Sequence, residues 1–546
     1  MHRILTLLYF SSVIAGIRVT PFGTVPLNVN EIQKQQGIFE IVATSVLATI
    51  HAVLAPKTGK ILQLERTDGG EARNSHACEF DYYAAYSRVM SYKSDVFCSS
   101  GFVATDNEAT IYNVGGWNGP SAEAIRKVTP CGSPGIFGIC DWKEDATVAT
   151  LKVKRWYPTA LPLPSGRVVV IGGTDGPTGL LPPAVNEPTV EFLPPLPKEV
   201  PITLQLLIDT DTYNLYPIVH VLSNGYVFLM AGARTQLHDP TFQKPYIELP
   251  VIPDGKRTYP FTGSSALLTL SSKTNWQSEI LVCGGTTDTN VNAIALASCG
   301  RIVATSPKPV WEIEMMPNYR LMPDMIILAD GTILIINGAQ QGWAGFANAK
   351  YPIYDALLYD PKKVAGKRFT PLAKSTIARL YHSIAMMVED GSVIVMGSTP
   401  NANANALNPE YPNEHRIEVF YPPYLLTGAT RPQAVGIPEG QWDNGQQYSF
   451  IVHIPTDDMA TATISIFTNG FVTHSNHAGQ RRVELDVTNF EKIEATWYKV
   501  TVQIPPPAIA IPGWYMLFVT DNGMPSIAKW IKVGGDLATF SKYFPI

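Results

Sequence analysis

The sequence has few charged residues and lacks the short motifs of several large enzyme classes. Charged residues make up 16% of the 546 positions and the formal net charge is −5, which argues against a nucleic-acid-binding protein. There is no phosphate loop with its lysine, no dinucleotide fingerprint, no HExxH zinc motif and no nucleophile elbow. Hydrolytic and nicotinamide-dependent chemistry therefore has no support in the motifs.

Long apolar runs are also missing beyond the first residues. The start, MHRILTLLYFSSVIAG, combines a basic residue, an apolar stretch of about a dozen residues and a small-residue end, as in a secretory signal peptide. No later run approaches the roughly 18 apolar residues that a membrane helix needs. We therefore predict a signal peptide over residues 1–16 and a secreted, extracellular protein without a membrane partner. The sequence contains no N-x-[ST] glycosylation site.

The chain is instead rich in β-strand patterning that repeats. A turn followed by a short run of apolar β-formers and a small-residue end recurs at intervals of 53 to 59 residues. The segments are NEATIYNVGG, SGRVVVIGG, NGYVFLMAG, QSEILVCGG, DGTILIING and DGSVIVMG, which end at Gly116, Gly173, Gly232, Gly285, Gly338 and Gly397. KTGKILQLER at 57–66 is a seventh member without the glycine pair. This period predicts a seven-bladed kelch-type β-propeller over residues 37–417.

A different pattern follows the repeat. RPQAVGIPEGQWDNGQQYSFIVHI opens a region of alternating strands that lasts to about residue 535, a length that suits an immunoglobulin-like β-sandwich. We predict this C-terminal domain over residues 430–535, with a hairpin at the TNG sequence of 468–470. The predicted fold class is therefore all-β.

Polar rings and one cysteine stand at the predicted strand ends. They are Cys98 in DVFCSSG, Tyr157 in RWYPT, Tyr381 and His382 in ARLYHS, and His474 and His477 in FVTHSNHAGQRR. A residue at the axial end of a propeller strand escapes strict alternation, so the adjacent Tyr381 and His382 can face one ligand. Imidazole nitrogens with phenolate oxygens favour copper(II) over zinc or calcium. Spacing alone does not choose between His474 and His477.

These segments together resemble the copper radical oxidases, the family of glyoxal oxidase and galactose oxidase. FCSSG resembles the family's cysteine strand, RWYPT its cross-linked tyrosine, ARLYHS its Tyr-His pair and THSNHAGQRR its second histidine loop. PGWYMLFVTDNGMPSIAKWI resembles its C-terminal domain, so the resemblance covers nearly the whole mature chain.

The resemblance implies a catalytic centre with one copper ion. Its ligands would be Tyr157, Tyr381, His382 and His474, the last one favoured over His477 by the family's Thr-His placement. A thioether between Cys98 and Tyr157 would lower the oxidation potential of the ring, so that Tyr157 carries a radical. Tyr381 would accept the substrate proton, and dioxygen would leave as hydrogen peroxide.

The resemblance is strongest to glyoxal oxidase. Galactose oxidase stacks a tryptophan on its cross-linked tyrosine, and that place, counted from Tyr157, is Asp175 in GGTDG. We therefore expect oxidation of small aldehydes such as glyoxal and methylglyoxal to carboxylic acids, by a monomer that feeds hydrogen peroxide to peroxidases. The alternatives are a galactose-type oxidase of primary alcohols and a non-catalytic secreted propeller that binds a glycan or a protein.

The cysteines allow two interpretations. Pairing neighbours in sequence gives three disulfides, 78 with 98, 131 with 140 and 283 with 299. The thioether implied by the resemblance leaves Cys78 unpaired, and we favour it because Cys98 lies in the family motif. Among the histidines, His51, His220 and His453 lie in apolar strands and are predicted to be structural.

Overall fold

The computed structural model describes residues 19–20, 23–24, 29–66, 77–175, 185–211, 213–402 and 410–535. The predicted signal peptide, residues 1–16, lies outside them. The described residues form an all-β structure, as predicted. They include two short α-helices, Glu31–Gln36 and Gln205–Asp209, and the 3₁₀ turns Gly119–Ala122, Ser272–Thr274, Pro423–Leu426 and Met459–Thr461.

Within these ranges, residues 38–421 form seven antiparallel sheets, numbered here in chain order. Six of them have four strands, and sheet 1 adds two strands from the C-terminal region to its own four. Sheet 1 contains His51–Ala55, Lys60–Leu64, Ala77–Asp81 and Tyr86–Met90, and sheet 2 contains Ser100–Val103, Ile111–Val114, Ile125–Val128 and Lys143–Glu144. Sheet 3 contains Thr159–Pro162, Val168–Ile171, Thr189–Leu193 and Ile202–Thr203, and sheet 4 contains Ile218–Val221, Val227–Ala231, Arg234–His238 and Ile247–Leu249. Sheet 5 contains Ser264–Leu267, Glu279–Cys283, Ser298–Val303 and Glu312–Met315, and sheet 6 contains Asp324–Ile327, Ile333–Ile336, Asp355–Tyr359 and Phe369–Lys374. Sheet 7 contains Ser383–Met387, Val393–Gly397, Arg416–Tyr421 and Ile38–Thr44.

The repeated sequence segments form the second strand of each sheet. These strands are mainly apolar because both of their faces are covered, as in the fully buried Val227–Ala231 and Val393–Gly397. The second strands of sheets 1, 2 and 5 also contain the polar residues Lys60, Gln63, Asn113 and Glu279. Fourth strands such as Glu312–Met315 lie at the periphery and are largely exposed. The core is therefore densest around the first two strands of each sheet.

The last sheet joins the two ends of the repeat region. Its outer strand, Ile38–Thr44, comes from before sheet 1 and pairs antiparallel with Arg416–Tyr421. Smaller hairpins pair Val19–Thr20 with Gly23–Thr24, Gly132–Ser133 with Ile136–Phe137, and Ala339–Gly342 with Ala349–Pro352.

The C-terminal region contributes two further sheets. One contains Gln433–Val435, Gln447–His453, Trp497–Gln503 and Asp486–Glu494. The other contains Gln441–Trp442, Lys529–Val533, Gly513–Asp521, Ala462–Thr468 and Arg481–Glu484, with Met524–Pro525 paired to its third strand. Their inner faces share a core with sheets 4 and 5, which fixes this region against the repeat.

A hairpin from the C-terminal region reaches the first strands of the repeat. Its strands are Phe471–Thr473 and Asn476–Ala478, and the former pairs with His51–Ala55 of sheet 1. The two strands together contact the first strand of each of the seven sheets. The hairpin therefore lies where these first strands converge.

The turn of this hairpin differs from the prediction. The TNG sequence at 468–470 marks where the chain leaves Ala462–Thr468 and is not the hairpin turn. The tight turn consists of His474 and Ser475, whose φ angles are +49° and +64°. Two positive φ values are the geometry of a type I′ turn, which matches the twist of the flanking strands. The turn thus presents a histidine at the tip of the hairpin.

Buried arginines fix the corner that precedes several first strands. Each extends Nη1 to a carbonyl oxygen at the end of the second strand of its own sheet. The pairs are Arg155 with Gly172, Arg257 with Gly284, Arg320 with Asn337 and Arg379 with Gly397. These guanidinium groups are buried, and hydrogen bonds to carbonyl oxygens replace much of their hydration, although Nε of Arg257 and of Arg320 has no hydrogen-bond partner.

The residue two positions after each arginine occupies the corner itself. In sheets 3, 5, 6 and 7 these residues are Tyr157, Tyr259, Met322 and Tyr381. In each of these four sheets, the arginine thus fixes the position of one large side chain at the end where the first strands converge.

Candidate metal centre

The predicted site residues meet at the tip of the hairpin. Cys98, Tyr157, His382 and His474 each adopt a left-handed backbone conformation, with φ of +52°, +62°, +67° and +49°. Such conformations are costly for non-glycine residues and persist where the surrounding structure enforces them, commonly at functional sites. Tyr381 directly precedes His382, and their rings stack with centroids 3.6 Å apart.

The two imidazoles pack edge-on against each other, and one nitrogen of each ring is held by a threonine. Thr473 Oγ1 donates to the carbonyl oxygen of Ile50 at 3.0 Å and lies 2.6 Å from His474 Nδ1. Because its hydrogen is already used, the hydroxyl accepts from Nδ1–H, which leaves His474 Nε2 with a free lone pair. Thr399 Oγ1 likewise contacts His382 Nδ1.

The free nitrogens of both histidines lie in the buried centre. His382 Nε2 is buried and has no hydrogen-bond partner. His474 Nε2 lies 3.3 Å from Cys98 Sγ, and the two imidazole centroids are 4.4 Å apart. Within the described ranges, one donor atom each from Cys98, His382 and His474 lie within 4.8 Å of one another. An orphaned buried nitrogen is costly unless a ligand completes it.

Two predicted phenols complete the group. The hydroxyl oxygens of Tyr157 and Tyr381 are 3.3 Å apart, and the Tyr157 ring packs edge-on against His474. Burial raises the pKa of both phenols well above the usual value, and neighbouring thiol and phenol groups add to the effect. Burial also lowers the pKa of His382 and His474 well below the usual value, so both imidazoles are neutral and able to bind a metal.

These donors fit copper. Two neutral imidazoles and two phenols form a nitrogen and oxygen set without carboxylates, which suits copper(II) better than calcium or a structural zinc. The threonine hydroxyls fix both rings, as outer partners of metal-bound histidines do. A divalent cation would also supply the positive charge that the buried phenols need in order to ionise.

The cysteine lies beside the phenol that it was predicted to modify. The Tyr157 backbone N–H donates to the Cys98 carbonyl oxygen at 2.8 Å, and both side chains are almost fully buried. Burial raises the pKa of the Cys98 thiol well above the usual value.

Cys78 is separate from this pair. It is a free, buried thiol that lies 3.4 Å from Gln63 Oε1, and the described structure has no disulfide between Cys78 and Cys98. The other two predicted disulfides, Cys131–Cys140 and Cys283–Cys299, are present.

Two other predicted residues lie away from the centre. His477 Nε2 pairs with Asp324 Oδ1 of sheet 6 at 2.9 Å, where it anchors the hairpin. Asp175 is a half-exposed residue that forms an ion pair with Lys154. The geometry therefore distinguishes the two candidate histidines, because His474 lies in the cluster and His477 does not.

The structural histidines behave differently from one another. His220 Nε2 lies 2.9 Å from Ser265 Oγ, which agrees with a structural role. His51 is fully buried, its ring centroid is 6.1 Å from that of His474, and neither of its nitrogens has a hydrogen-bond partner. The complete burial of His51 agrees with the structural role that the sequence predicts.

A third phenol in the centre was missed. The Tyr259 hydroxyl lies 3.1 Å from the hydroxyl oxygens of both Tyr157 and Tyr381. Its ring stacks on the Tyr157 ring at 4.4 Å with an interplanar angle of 23°. The sequence did carry a signal, because KRTYP around Tyr259 repeats the KRWYP pattern around Tyr157.

Aromatic rings and one cation surround the side of the centre next to His382. Phe97 and Phe346 stack with centroids 6.0 Å apart, and each packs edge-on against the His382 ring. The Arg66 guanidinium lies over both phenylalanine rings, at 5.5 and 5.2 Å. Burial and the adjacent imidazole of His474, together with Arg66, all disfavour a positive charge on His382.

Comparison with known families agrees with this geometry. A family model described as "Glyoxal oxidase N-terminus" matches residues 61–424, which is more than half of the chain. The chain belongs to the glyoxal oxidase family. A second model, "Galactose oxidase-like, Early set domain", matches residues 431–533 of this family member. As a member of the family, the protein is a copper oxidase.

Individual relatives cover most of the chain. It is 35% identical over 530 residues to "Aldehyde oxidase GLOX" of Vitis pseudoreticulata, with 91% of this chain and 97% of that protein aligned. It is 34% identical to "Aldehyde oxidase GLOX1" of Arabidopsis thaliana over 84% of this chain and 75% of that protein. It is 36% identical to a "WSC domain-containing protein" of Arthroderma benhamiae over 88% of this chain, which spans only 50% of that longer protein.

A solved structure shares the fold of this glyoxal oxidase family member. It is described as a "Novel fungal alcohol oxidase with catalytic diversity among the AA5 family, in complex with copper". The TM-score is 0.70 at 19% identity, with 92% of this chain and all of that chain covered.

Among the described residues, no helix has the length and apolar character needed to cross a membrane.

Proposed function

We propose that the protein is a secreted copper radical oxidase that converts small aldehydes to carboxylic acids. Each hydrated aldehyde, RCH(OH)₂, reacts with O₂ to give RCOOH and H₂O₂, so two electrons and two hydrogens pass from carbon to oxygen. The observation that carries the proposal is the buried cluster at the hairpin tip, with two phenols, two imidazoles and an orphaned His382 Nε2.

Four side chains would hold the copper ion. Tyr157, Tyr381, His382 and His474 supply the donor atoms, and Thr399 and Thr473 fix the orientation of the imidazoles. Bound copper supplies a one-electron couple and the positive charge that ionises the phenols.

The protein side chains would carry out the hydrogen transfers. Tyr381 accepts the proton of the substrate hydroxyl, since an ionised phenol is a far stronger base than a neutral one. The Tyr157 radical then takes the hydrogen atom from the substrate carbon. A thioether between Cys98 and Tyr157 donates electron density to the ring and makes this radical accessible.

The surroundings of the centre support a small, oxygen-rich substrate. Phe97 and Phe346 narrow the approach beside His382, and Arg66 places a cation at the same side. A guanidinium can orient the oxygen atoms of a hydrated aldehyde by donating hydrogen bonds. The relatives named aldehyde oxidases agree with this substrate class, whereas the solved neighbour named an alcohol oxidase makes primary alcohols the second candidate.

The same proposal extends to the architecture. We infer that sheets 1 to 7, within residues 37–417, are the blades of a propeller closed by the pairing of Ile38–Thr44 with Arg416–Tyr421. Contact of one hairpin with all seven first strands supports a ring around a central axis. Residues 430–535 would form the immunoglobulin-like domain that supplies His474, and residues 1–16 the signal peptide. We expect a monomer whose hydrogen peroxide serves peroxidases.

A substrate panel tests the reaction. The protein is reconstituted with copper, and peroxide release is measured with glyoxal, methylglyoxal, benzyl alcohol and galactose. We expect the two aldehydes to give the highest kcat/KM. Higher values with the alcohols would favour the second candidate, and no peroxide with any substrate from a copper-loaded protein would refute the oxidase proposal.

A substitution tests the radical. Tyr157→Phe removes the phenol and should lower kcat by several orders of magnitude, because no hydrogen acceptor remains. His477→Gln is the matched control, since it changes a nearby hairpin residue that lies outside the cluster and should retain turnover. Full turnover by Tyr157→Phe would refute the radical mechanism.

Alkylation after reduction tests the thioether. A reductant opens the two disulfides and leaves a thioether intact, so we expect alkylation of five of the six cysteines. Alkylation of all six in protein matured with copper would refute the cross-link.

A further inference from the structure

Tyr259 contributes to the centre although no predicted role accounts for it. Its hydroxyl is equidistant from the phenol oxygens of Tyr157 and Tyr381, at 3.1 Å from each. Its ring covers one face of the Tyr157 ring at a stacking distance, and the residue is buried. A single side chain therefore contacts both the oxygen and the π face of the residue that would carry the radical.

A neighbouring tyrosine provides a contrast. Tyr216 occupies the corresponding corner of sheet 4 and packs its ring edge-on against Tyr157 at 5.2 Å. Its hydroxyl donates to the Ser99 carbonyl oxygen at 2.8 Å, and its side-chain hydrogen bond is to Thr473 and not to a phenol. The two tyrosines are equally buried, so the bridging contact belongs to Tyr259 and does not follow from burial alone.

We propose that Tyr259 is a positioning residue that bridges the phenol oxygens of Tyr157 and Tyr381, shields the Tyr157 ring, and sets the potential at which Tyr157 is oxidised. The inference rests on the proposed function, because it assumes a redox-active Tyr157. It adds a residue outside the four metal-binding side chains and the cysteine.

The direction of the effect follows from charge. Oxidation removes one electron from the ionised Tyr157 phenolate and leaves a neutral phenoxyl radical, while Tyr259 keeps its O–H bond. A hydrogen bond to a charged oxygen is roughly twice as strong as one to a neutral oxygen. With both phenols protonated, the Tyr157 hydroxyl donates to the Tyr259 oxygen; once Tyr157 is ionised it has no hydrogen, so the Tyr259 O–H donates to it instead. The Tyr259 hydroxyl thus stabilises the reduced phenolate more than the radical, and it raises the reduction potential of the couple.

The experiment is a redox titration of the copper-loaded holoenzyme. An outer-sphere one-electron oxidant of the ferricyanide class is added, and the radical is followed by its visible absorption and by loss or recovery of the copper(II) EPR signal. Tyr259→Phe keeps the ring and removes the hydroxyl. In Tyr259→Phe, we expect the equilibrium constant for one-electron reduction of the Tyr157 radical to fall about tenfold. This change lowers the midpoint potential of the couple by about 59 mV.

Tyr216→Phe is the matched control. It also deletes a buried phenol hydroxyl next to Tyr157, but it removes no bond to a phenol oxygen, so its midpoint potential should equal that of the wild type. Copper content and thermal unfolding are measured for each variant. An unchanged potential in Tyr259→Phe, or an equal shift in both variants, would overturn the inference.

A second variant tests the shielding if Tyr259→Phe fails to fold. Tyr259→Met introduces the residue that the same corner of sheet 6 already carries as Met322. With the ring face uncovered, the radical signal should decay several times faster than in the wild type, and an unchanged lifetime would contradict the shielding. Absence of any radical couple in the wild-type holoenzyme would instead refute the proposed function itself.

Discussion

The hydroxyl of Thr473 offers a sharp test of how the centre is built. Thr473→Val replaces a hydroxyl by a methyl group of similar size, in the strand that leads into His474. The hydroxyl accepts from His474 Nδ1–H at 2.6 Å and donates to the Ile50 carbonyl oxygen at 3.0 Å. Both bonds are buried, so water does not replace them.

The magnitude follows from the two lost bonds. A net hydrogen bond contributes about 1 kcal/mol, so two bonds amount to about 2 kcal/mol. Loss of a hydrogen-bond partner of a metal-bound histidine typically weakens metal binding by about 10- to 100-fold, which corresponds to a similar free energy. We therefore expect the dissociation constant for copper(II) to rise by about 10- to 100-fold, with the rest of the fold retained.

The assay is a competition titration against a chelator of known affinity, with the variant's fold checked by circular dichroism. Thr473→Ser retains the hydroxyl and should bind copper nearly as tightly as the wild type. Thr159→Val is the matched control, because Thr159 bonds the Pro217 carbonyl oxygen and Asn476 of the hairpin but no histidine of the cluster. Wild-type affinity in folded Thr473→Val would show that the threonine does not orient His474.

Further predictions concern stability. Arg379→Met should lower the free energy of unfolding by about 3–5 kcal/mol, because it leaves the buried Glu418 carboxylate unpaired; adding Glu418→Gln should restore part of it, as measured by thermal unfolding. Replacing both Cys283 and Cys299 by alanine should cost about 3 kcal/mol in urea unfolding, and a reductant should have no further effect at this bridge. Burial, with repulsion from a nearby arginine, lowers the pKa of His220 to about 3, below its usual 6.5. The unfolded chain therefore binds a proton first as the pH falls, so stability present above about pH 6.5 declines towards pH 3. His220→Gln should flatten this acid-side decline in denaturant titrations, and an identical slope would contradict the assignment.

The repeat could be predicted from the sequence because its second strands share a simple pattern of apolar residues followed by glycine. A second strand covered on both faces is mainly apolar, and a glycine is needed where the following turn approaches a neighbouring backbone. At Gly397, for example, φ is +69° and a Cβ atom would lie 2.3 Å from the Thr49 carbonyl oxygen. Such constraints are visible directly in the amino-acid sequence.

The centre was harder to predict because it depends on contacts between distant parts of the chain. The motifs named Tyr157, Tyr381 and His382, but the choice of His474 over His477 rests on which face of a hairpin meets the cluster. The turn at His474 and Ser475 lacks the glycine or asparagine that usually marks a type I′ turn. Tyr259 was missed because its KRTYP segment was not among the segments that carried the family resemblance, and the three-phenol contact exists only once the corners converge.

The hairpin from the C-terminal region has a consequence for biosynthesis. The chain emerges from the ribosome with its N-terminal part first, and domains begin to fold in that order. Tyr157, Tyr381 and His382 are thus synthesised before the hairpin that carries His474 and contacts the seven first strands. A chain that ends before His474 lacks one of the four proposed donors of the centre. The order of synthesis therefore delays assembly of the full donor set until the last fifth of the polypeptide is being translated.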